Sequence, residues 1–73
     1  MVVEIFSPQQ PPQDVMDKID TYFAFEVKSC WVVSPTMHRI QILTADGREN
    51  VLSSGTAADP VTGLTVDLQA MFS

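Results

Sequence analysis

Two short apolar runs with a helix-like stretch between them constrain the fold of this chain more than any other feature. The runs are Val2–Phe6 and Cys30–Val33. Each has bulky apolar residues on both faces, which is typical of parallel strands that are covered on both sides. Pro8 and Pro35 follow the runs, and proline cannot donate to a strand ladder. Strand, helix and strand in this order predict a right-handed crossover between parallel strands.

The stretch between the runs predicts a helix over residues 12–26. Pro12 suits the first turn of a helix, and Asp14 and Asp17 then lie near the positive end of the helix dipole. Helical spacing gives one stripe that is apolar except at its end, formed by Val15, Met16, Ile19, Tyr22, Phe23 and Glu26. The opposite face carries Asp14, Asp17, Lys18 and Thr21.

The remainder of the chain predicts antiparallel strands and a short end piece. Asp46-Gly47 is a hairpin signal, because its turn requires positive φ at both central residues. The predicted segments are a strand at Arg39–Thr44, a return strand at Arg48–Leu52, a loop at Ser53–Gly63, a short strand at Leu64–Val66 and a helical turn at Leu68–Phe72, with Met71 and Phe72 capping the core. The predicted fold class is α/β, a βαβββ mixed sheet with one crossover helix, in a single small domain of residues 1–73.

The length of the chain limits how stable it can be alone. A domain of 73 residues buries only about 60% of its unfolded surface, and such domains usually depend on covalent links or on association. The chain has one cysteine, Cys30, which excludes an internal disulfide and is expected to be a buried strand thiol, with a reactive thiol as the alternative. One cysteine and one histidine also exclude a zinc-type cluster.

Charge and the first residues restrict partners and location. The net charge is −5 with four basic residues, which argues against a free-standing nucleic-acid binder, because neutralising phosphates requires a basic surface. The N-terminus lacks the basic start and apolar core of a signal peptide. No apolar run approaches the ~18 residues of a membrane span. We therefore expect a cytoplasmic protein without a membrane partner.

Glu4 is the first candidate functional residue. Its side chain is expected to point away from Val3 and Ile5, onto the face of Val2 and Phe6. A carboxylate on such a face needs a partner, a metal ion or a route to water. The residues alone leave two interpretations open, namely an edge-strand carboxylate that reaches solvent and a functional site.

Two helix residues are ambiguous in the same way. Lys18 follows Asp14 by four residues, the better orientation for a helix ion pair of roughly 0.2–0.5 kcal/mol, so it is either paired with Asp14 or part of a site. Tyr22 lies on the apolar stripe, so it either packs in the core or neighbours Lys18 in a site. Trp31 is expected in the core or an interface, and His38 at a turn or strand end.

Several segments together resemble a known family. They are Val3-Glu4-Ile5-Phe6-Ser7-Pro8, Lys18, Tyr22, Trp31-Val32-Val33-Ser34-Pro35, the hairpin and Leu64-Thr65-Val66-Asp67-Leu68. In this order and spacing they resemble the Uma-type endonuclease family, which is common in cyanobacteria and is a branch of the PD-(D/E)XK restriction-endonuclease-like nucleases. The resemblance covers nearly all of the chain and corresponds to the C-terminal half of the family's domain. It implies a partial restriction-endonuclease-like fold.

The resemblance also implies a site. It assigns Glu4 as the metal carboxylate, Lys18 as the catalytic lysine and Tyr22 as its neighbour one turn on. Mg²⁺ or Mn²⁺ would be the cofactor of an active form, and DNA its substrate. Hard cations prefer carboxylate oxygens. A cation of this kind polarises a phosphoryl oxygen and activates a water, while a lysine stabilises the developing charge.

This sequence departs from the family pattern at several positions. The family's metal-binding Asp would fall just before Met1, Ser34 replaces the Asp usual before Pro35, and Phe25-Glu26-Val27-Lys28 lacks the usual glycine. One carboxylate is at the weak end of what Mg²⁺ uses. We therefore expect a truncated or degenerate endonuclease-like protein that is not catalytically competent alone. An open strand edge and apolar surface would favour a homo-oligomer or pairing with a full-length relative.

An enzymatic alternative stays open. In it, the chain is a metal-dependent DNA phosphodiesterase that is completed by a partner chain or by further N-terminal sequence.

Overall fold

The computed structural model describes residues 1–7 and 9–72. Strand β1 (Val2–Ile5) and strand β2 (Ser29–Ser34) are parallel neighbours, and helix α1 (Pro12–Ala24) connects them. The predicted strand–helix–strand unit is confirmed, although the predicted stop at Pro8 lies outside the described residues. The helix ends two residues before the predicted position, because Phe25 closes the last turn and Glu26 has a left-handed φ of 68°.

Two further strands complete a four-stranded mixed sheet in the order β1-β2-β3-β4. A 3₁₀ turn at Pro35–Met37 precedes β3 (Arg39–Thr44), which pairs antiparallel with β2 and with β4 (Glu49–Leu52). Strands β3 and β4 form the predicted hairpin, and Gly47 has a φ of 91°. Asp46 is not among the described residues with positive φ, so the expected positive φ at both central residues is wrong. The return strand begins one residue later than predicted. His38 lies in a turn as expected, and its ring stacks on Phe72 with centroids 5.1 Å apart.

The segment Ser53–Gly63 was predicted as a loop, and this prediction is wrong in part. It contains β5 (Thr56–Ala58), which pairs antiparallel with β6 (Thr65–Asp67) in a second, two-stranded sheet. The strand has three residues, two of them alanine, and alanine is depleted in strands, so its sequence signal is weak. Helix α2 (Leu68–Phe72) follows β6 at the predicted position.

The four-stranded sheet has an apolar cluster on each face. Helix α1 covers one cluster, whose buried members are Val15, Ile19, Cys30 and Val32. The β5–β6 sheet and α2 contribute to the second cluster, on the opposite face. Its buried members are Trp31, Val33, Ile40, Ile42, Ala57 and Leu68. Cys30 is the expected buried thiol, and burial raises its pKa to about 11. Phe72 packs against the second cluster, whereas Met71 is exposed, so the predicted capping role is wrong for Met71.

The first strand is an edge strand, and one of its faces is open. Val3 and Ile5 share the sheet face of Trp31 and Val33 but are 48% and 57% exposed. The prediction that this strand is covered on both faces is therefore wrong. The second layer packs on residues of β2, β3 and β4 and leaves β1 uncovered. Within residues 1–7 and 9–72, no helix is long and apolar enough to cross a membrane.

Candidate functional site at the first strand

Glu4 lies in the middle of β1, on the face that α1 covers. Strand alternation places it with Val2 on that face, as predicted, and its side chain is only 17% exposed. Lys18 and Tyr22 stand one turn apart on α1, so both side chains reach the same part of the strand. The structure therefore brings all three predicted site residues together.

Each oxygen of the Glu4 carboxylate faces one partner. The Tyr22 hydroxyl donates a hydrogen bond to Oε1 of Glu4, and Lys18 Nζ lies 4.0 Å from Oε2. The hydrogen bond to Glu4, together with desolvation and the negative charge, raises the pKa of Tyr22 above its usual range. The phenol therefore stays protonated at neutral pH and orients the carboxylate, while the lysine provides the nearby positive charge.

The contacts bear on the alternatives for the two helix residues. Lys18 pairs with Glu4, and no ion pair with Asp14 occurs among the described residues. Tyr22 does both things that were considered for it, because it packs against the cluster under α1 and also binds Glu4. Half of the Lys18 side chain is exposed, so its ammonium group is accessible to an anionic ligand.

The described residues do not form a complete cation site. They contain no group of three or more His, Cys, Asp or Glu side chains that could hold a metal ion. Glu4 could supply one carboxylate ligand. Mg²⁺ in proteins is usually held by one or two carboxylates together with substrate phosphates, so a single carboxylate that is already bonded to a phenol is a weak beginning for such a site.

A second polar cluster lies on the other face of the sheet, and it was not predicted from the sequence. Asp59 is 2% exposed and accepts hydrogen bonds from the Trp31 indole at 2.9 Å and from the backbone N–H groups of Thr62 at 2.7 Å and Val61 at 3.2 Å. Burial opposes ionisation of Asp59, but these hydrogen bonds outweigh it and hold the pKa well below its usual range. The available signal was Asp59-Pro60, a typical turn start, which does not reveal the Trp31 contact.

Comparisons with known proteins identify the fold. No family model matches the chain, and no curated protein matches it. The structure is similar to the crystal structure of a protein from Anabaena variabilis ATCC 29413 that is described as a candidate nuclease belonging to DUF820, with a TM-score of 0.79 and 20% sequence identity. The match covers 96% of this chain and 41% of that protein. The class is therefore a nuclease-like α/β fold.

Within that class, the chain has part of a nuclease-like fold and spans 41% of the neighbour's length. The expected fold class is confirmed. At 20% identity the likeness extends to the fold alone, and the roles of Glu4, Lys18 and Tyr22 stay predictions.

Proposed function

We propose that this chain is a degenerate endonuclease-like protein of the Uma type that is not catalytically competent as a single copy and that self-associates or pairs with a longer relative. One observation carries the proposal. Glu4, Lys18 and Tyr22 meet at one point, and this point holds one carboxylate where a metal-dependent nuclease site needs more ligands.

The cluster has some of the groups that a site for phosphodiester cleavage needs. Lys18 can contact a phosphoryl oxygen and stabilise negative charge on it, and Tyr22 fixes the orientation of Glu4 through its hydrogen bond. A divalent cation, when bound, polarises a phosphoryl oxygen and generates a nucleophile. The described residues offer such a cation only Glu4, so this cluster orients groups for the reaction without completing the site.

The net charge supports the same conclusion. With four basic residues against nine acidic ones, the chain lacks the basic surface that holds DNA by phosphate contacts. DNA is therefore a substrate only of a completed, active form, and the immediate partner of this chain is another protein chain.

A cleavage assay tests the proposal. The purified protein is incubated with supercoiled plasmid DNA in Mg²⁺ or Mn²⁺, at nanomolar and at micromolar protein, beside Glu4→Gln and the matched control Glu49→Gln. We expect no cleavage at nanomolar protein by any of the three. Cleavage at nanomolar protein that is lost in Glu4→Gln and kept in Glu49→Gln would overturn the proposed incompetence.

One observation favours a second candidate, a metal-dependent DNA phosphodiesterase that is completed by a partner chain or by further sequence. Glu4 lies on an edge strand whose outer side is unpaired among the described residues, so another strand can approach the carboxylate directly. Cleavage that appears only at micromolar protein or on adding a longer relative, and that is lost in Glu4→Gln, would favour this candidate over the first.

A further inference from the structure

We infer that the partner of this chain is a second copy, paired antiparallel along the outer edge of β1, with Glu4 of one copy opposite Glu4 of the other. The inference rests on the proposed function and names the chain that supplies a second carboxylate to the cluster. Four observations support it, namely the free backbone groups, the exposed side chains, the position of α1 and the charges at the junction.

The backbone of β1 presents a free edge. Phe6 donates its N–H to the Val33 carbonyl of β2 at 2.7 Å. In a strand, alternate residues direct their N–H and C=O groups to the same neighbour, so Val2 and Glu4 also face β2. Val3 and Ile5 then direct theirs outward, where β1 has no strand neighbour among the described residues. Such an edge is a template for pairing with another chain.

Antiparallel pairing about Glu4 matches these outward groups. It places Val3 of each copy opposite Ile5 of the other as a hydrogen-bonded pair, and Glu4 opposite Glu4 as a non-hydrogen-bonded pair with Cα atoms about 4.5 Å apart. Val3 and Ile5 are the exposed apolar residues on the open face of β1, and the pairing buries them against each other. The two Glu4 side chains emerge together on the opposite face.

The helices leave room for this arrangement. Helix α1 packs on β2 and on Val2 beside it, and neighbouring strands lie about 4.8 Å apart. Two copies joined through β1 would therefore hold their α1 helices roughly 10–15 Å apart, at or beyond the 8–10 Å of packed helices. The second layer leaves the other face of β1 uncovered, so neither face blocks the edge.

The charges at the junction balance. Each copy brings Glu4 and, 4.0 Å away, Lys18, so two carboxylates meet two ammonium groups. Two carboxylates directly opposite each other would otherwise repel. The pairing thus converts a cluster with one carboxylate into a cluster with two. The second carboxylate is a ligand that a single copy does not supply.

A single-cysteine scan tests the partner and the register. In a Cys30→Ala background, Glu4→Cys is expected to form a disulfide-linked dimer on mild oxidation, because directly opposed Cα atoms fall within the 4.4–6.8 Å that a disulfide allows. Val3→Cys is not expected to form one, since position 3 faces position 5. The double variant that carries both Val3→Cys and Ile5→Cys is expected to form the disulfide-linked dimer again. Efficient cross-linking of Val3→Cys alone, or none of Glu4→Cys, would overturn the inference.

Light scattering on the unmodified chain provides an independent measurement. We expect a mass of about twice the 8.1 kDa at micromolar protein. Val3→Lys should raise the dissociation constant of the dimer at least about tenfold, because an edge lysine opposes strand pairing. Val51→Lys is the matched control, since Val51 is equally exposed but lies on β4 at the other edge.

The outcomes separate this inference from the proposed function. A monomer at micromolar protein, or a dimer that Val51→Lys disrupts and Val3→Lys does not, would overturn the inference about β1 and leave the cleavage result unaffected. Glu4-dependent cleavage at nanomolar protein would overturn the proposed incompetence and leave the measured dimer unaffected.

Discussion

Two carboxylates on opposite faces of the same sheet each accept a hydrogen bond from an aromatic side chain, and their surroundings differ sharply. Asp59 receives the Trp31 indole N–H and two backbone N–H groups in a place that is closed to solvent. Glu4 receives the Tyr22 hydroxyl, has a half-exposed lysine nearby and lies on an edge strand.

The difference distinguishes a structural carboxylate from an available one. The donors to Asp59 are neutral and fixed by the backbone and by a buried ring, so this carboxylate holds the second layer against β2. The partners of Glu4 are two side chains on one helix, and one of them is a half-exposed lysine. A ligand or another chain can therefore reach Glu4 without unfolding the protein.

Substitution of Asp59 should have the largest effect on stability. Asp59→Ala leaves the buried Trp31 N–H and two backbone donors without an acceptor, and a buried unsatisfied donor costs about 1–3 kcal/mol. We expect a loss of about 3 kcal/mol in the free energy of unfolding, measured by urea titration followed through the single tryptophan. Exposed Asp20→Ala is the control and should be unchanged. If Asp59→Ala is as stable as the wild type, Asp59 does not hold the second layer against β2.

The pH dependence of stability should differ between Asp59 and an uncharged substitute. The folded-state pKa of Asp59 lies below its unfolded value, which is about 3.9. Its contribution is therefore fully present above about pH 4 and is lost as the pH falls toward the folded-state pKa. We expect the difference in unfolding free energy between the wild type and Asp59→Asn to shrink as the pH falls below 4. A constant difference would contradict the role of the charge.

The sequence predicted the regular part of the fold because that part has strong local signals. The apolar runs predict strands, the helical stripe predicts a helix, and Asp46-Gly47 predicts a hairpin. Strand β5 has no such signal, although it pairs with the nearby β6. Its buried Ala57 packs in the cluster that contains Trp31, a contact that is distant in sequence. The exposure of Val3 and Ile5 was also missed, because an apolar pattern does not say which layer covers which strand.

The candidate site follows the same division. Glu4 was identified because a carboxylate interrupts an apolar strand, and strand alternation gave its correct face. The convergence of Lys18 and Tyr22 on it was implied only by the family resemblance. Asp59 was missed because its partner, Trp31, lies 28 positions away, and neither residue alone indicates the hydrogen bond.

The titration of the chain's single tyrosine would sharpen the description of the Glu4 cluster. The Tyr22 pKa is raised by its hydrogen bond to Glu4, so the ultraviolet absorbance of the phenolate should develop at a higher pH than in a free tyrosine. We expect Glu4→Gln to lower this pKa, because the negative charge is removed, and Glu49→Gln to leave it unchanged. Identical titrations in all three proteins would show that Tyr22 and Glu4 are apart in solution.

Substitution of Lys18 should have the smallest effect on stability. A small effect would distinguish Glu4, whose charged partner is dispensable for folding, from Asp59, whose partners are not. A half-exposed pair at 4.0 Å contributes little, and exposed ion pairs are typically worth 0–1 kcal/mol. We expect Lys18→Gln to change the unfolding free energy by less than about 0.5 kcal/mol in urea titrations at low and high salt. A loss above about 1 kcal/mol would make the Glu4 cluster a structural contact like that of Asp59. A small change leaves the lysine free to serve a ligand or a second chain.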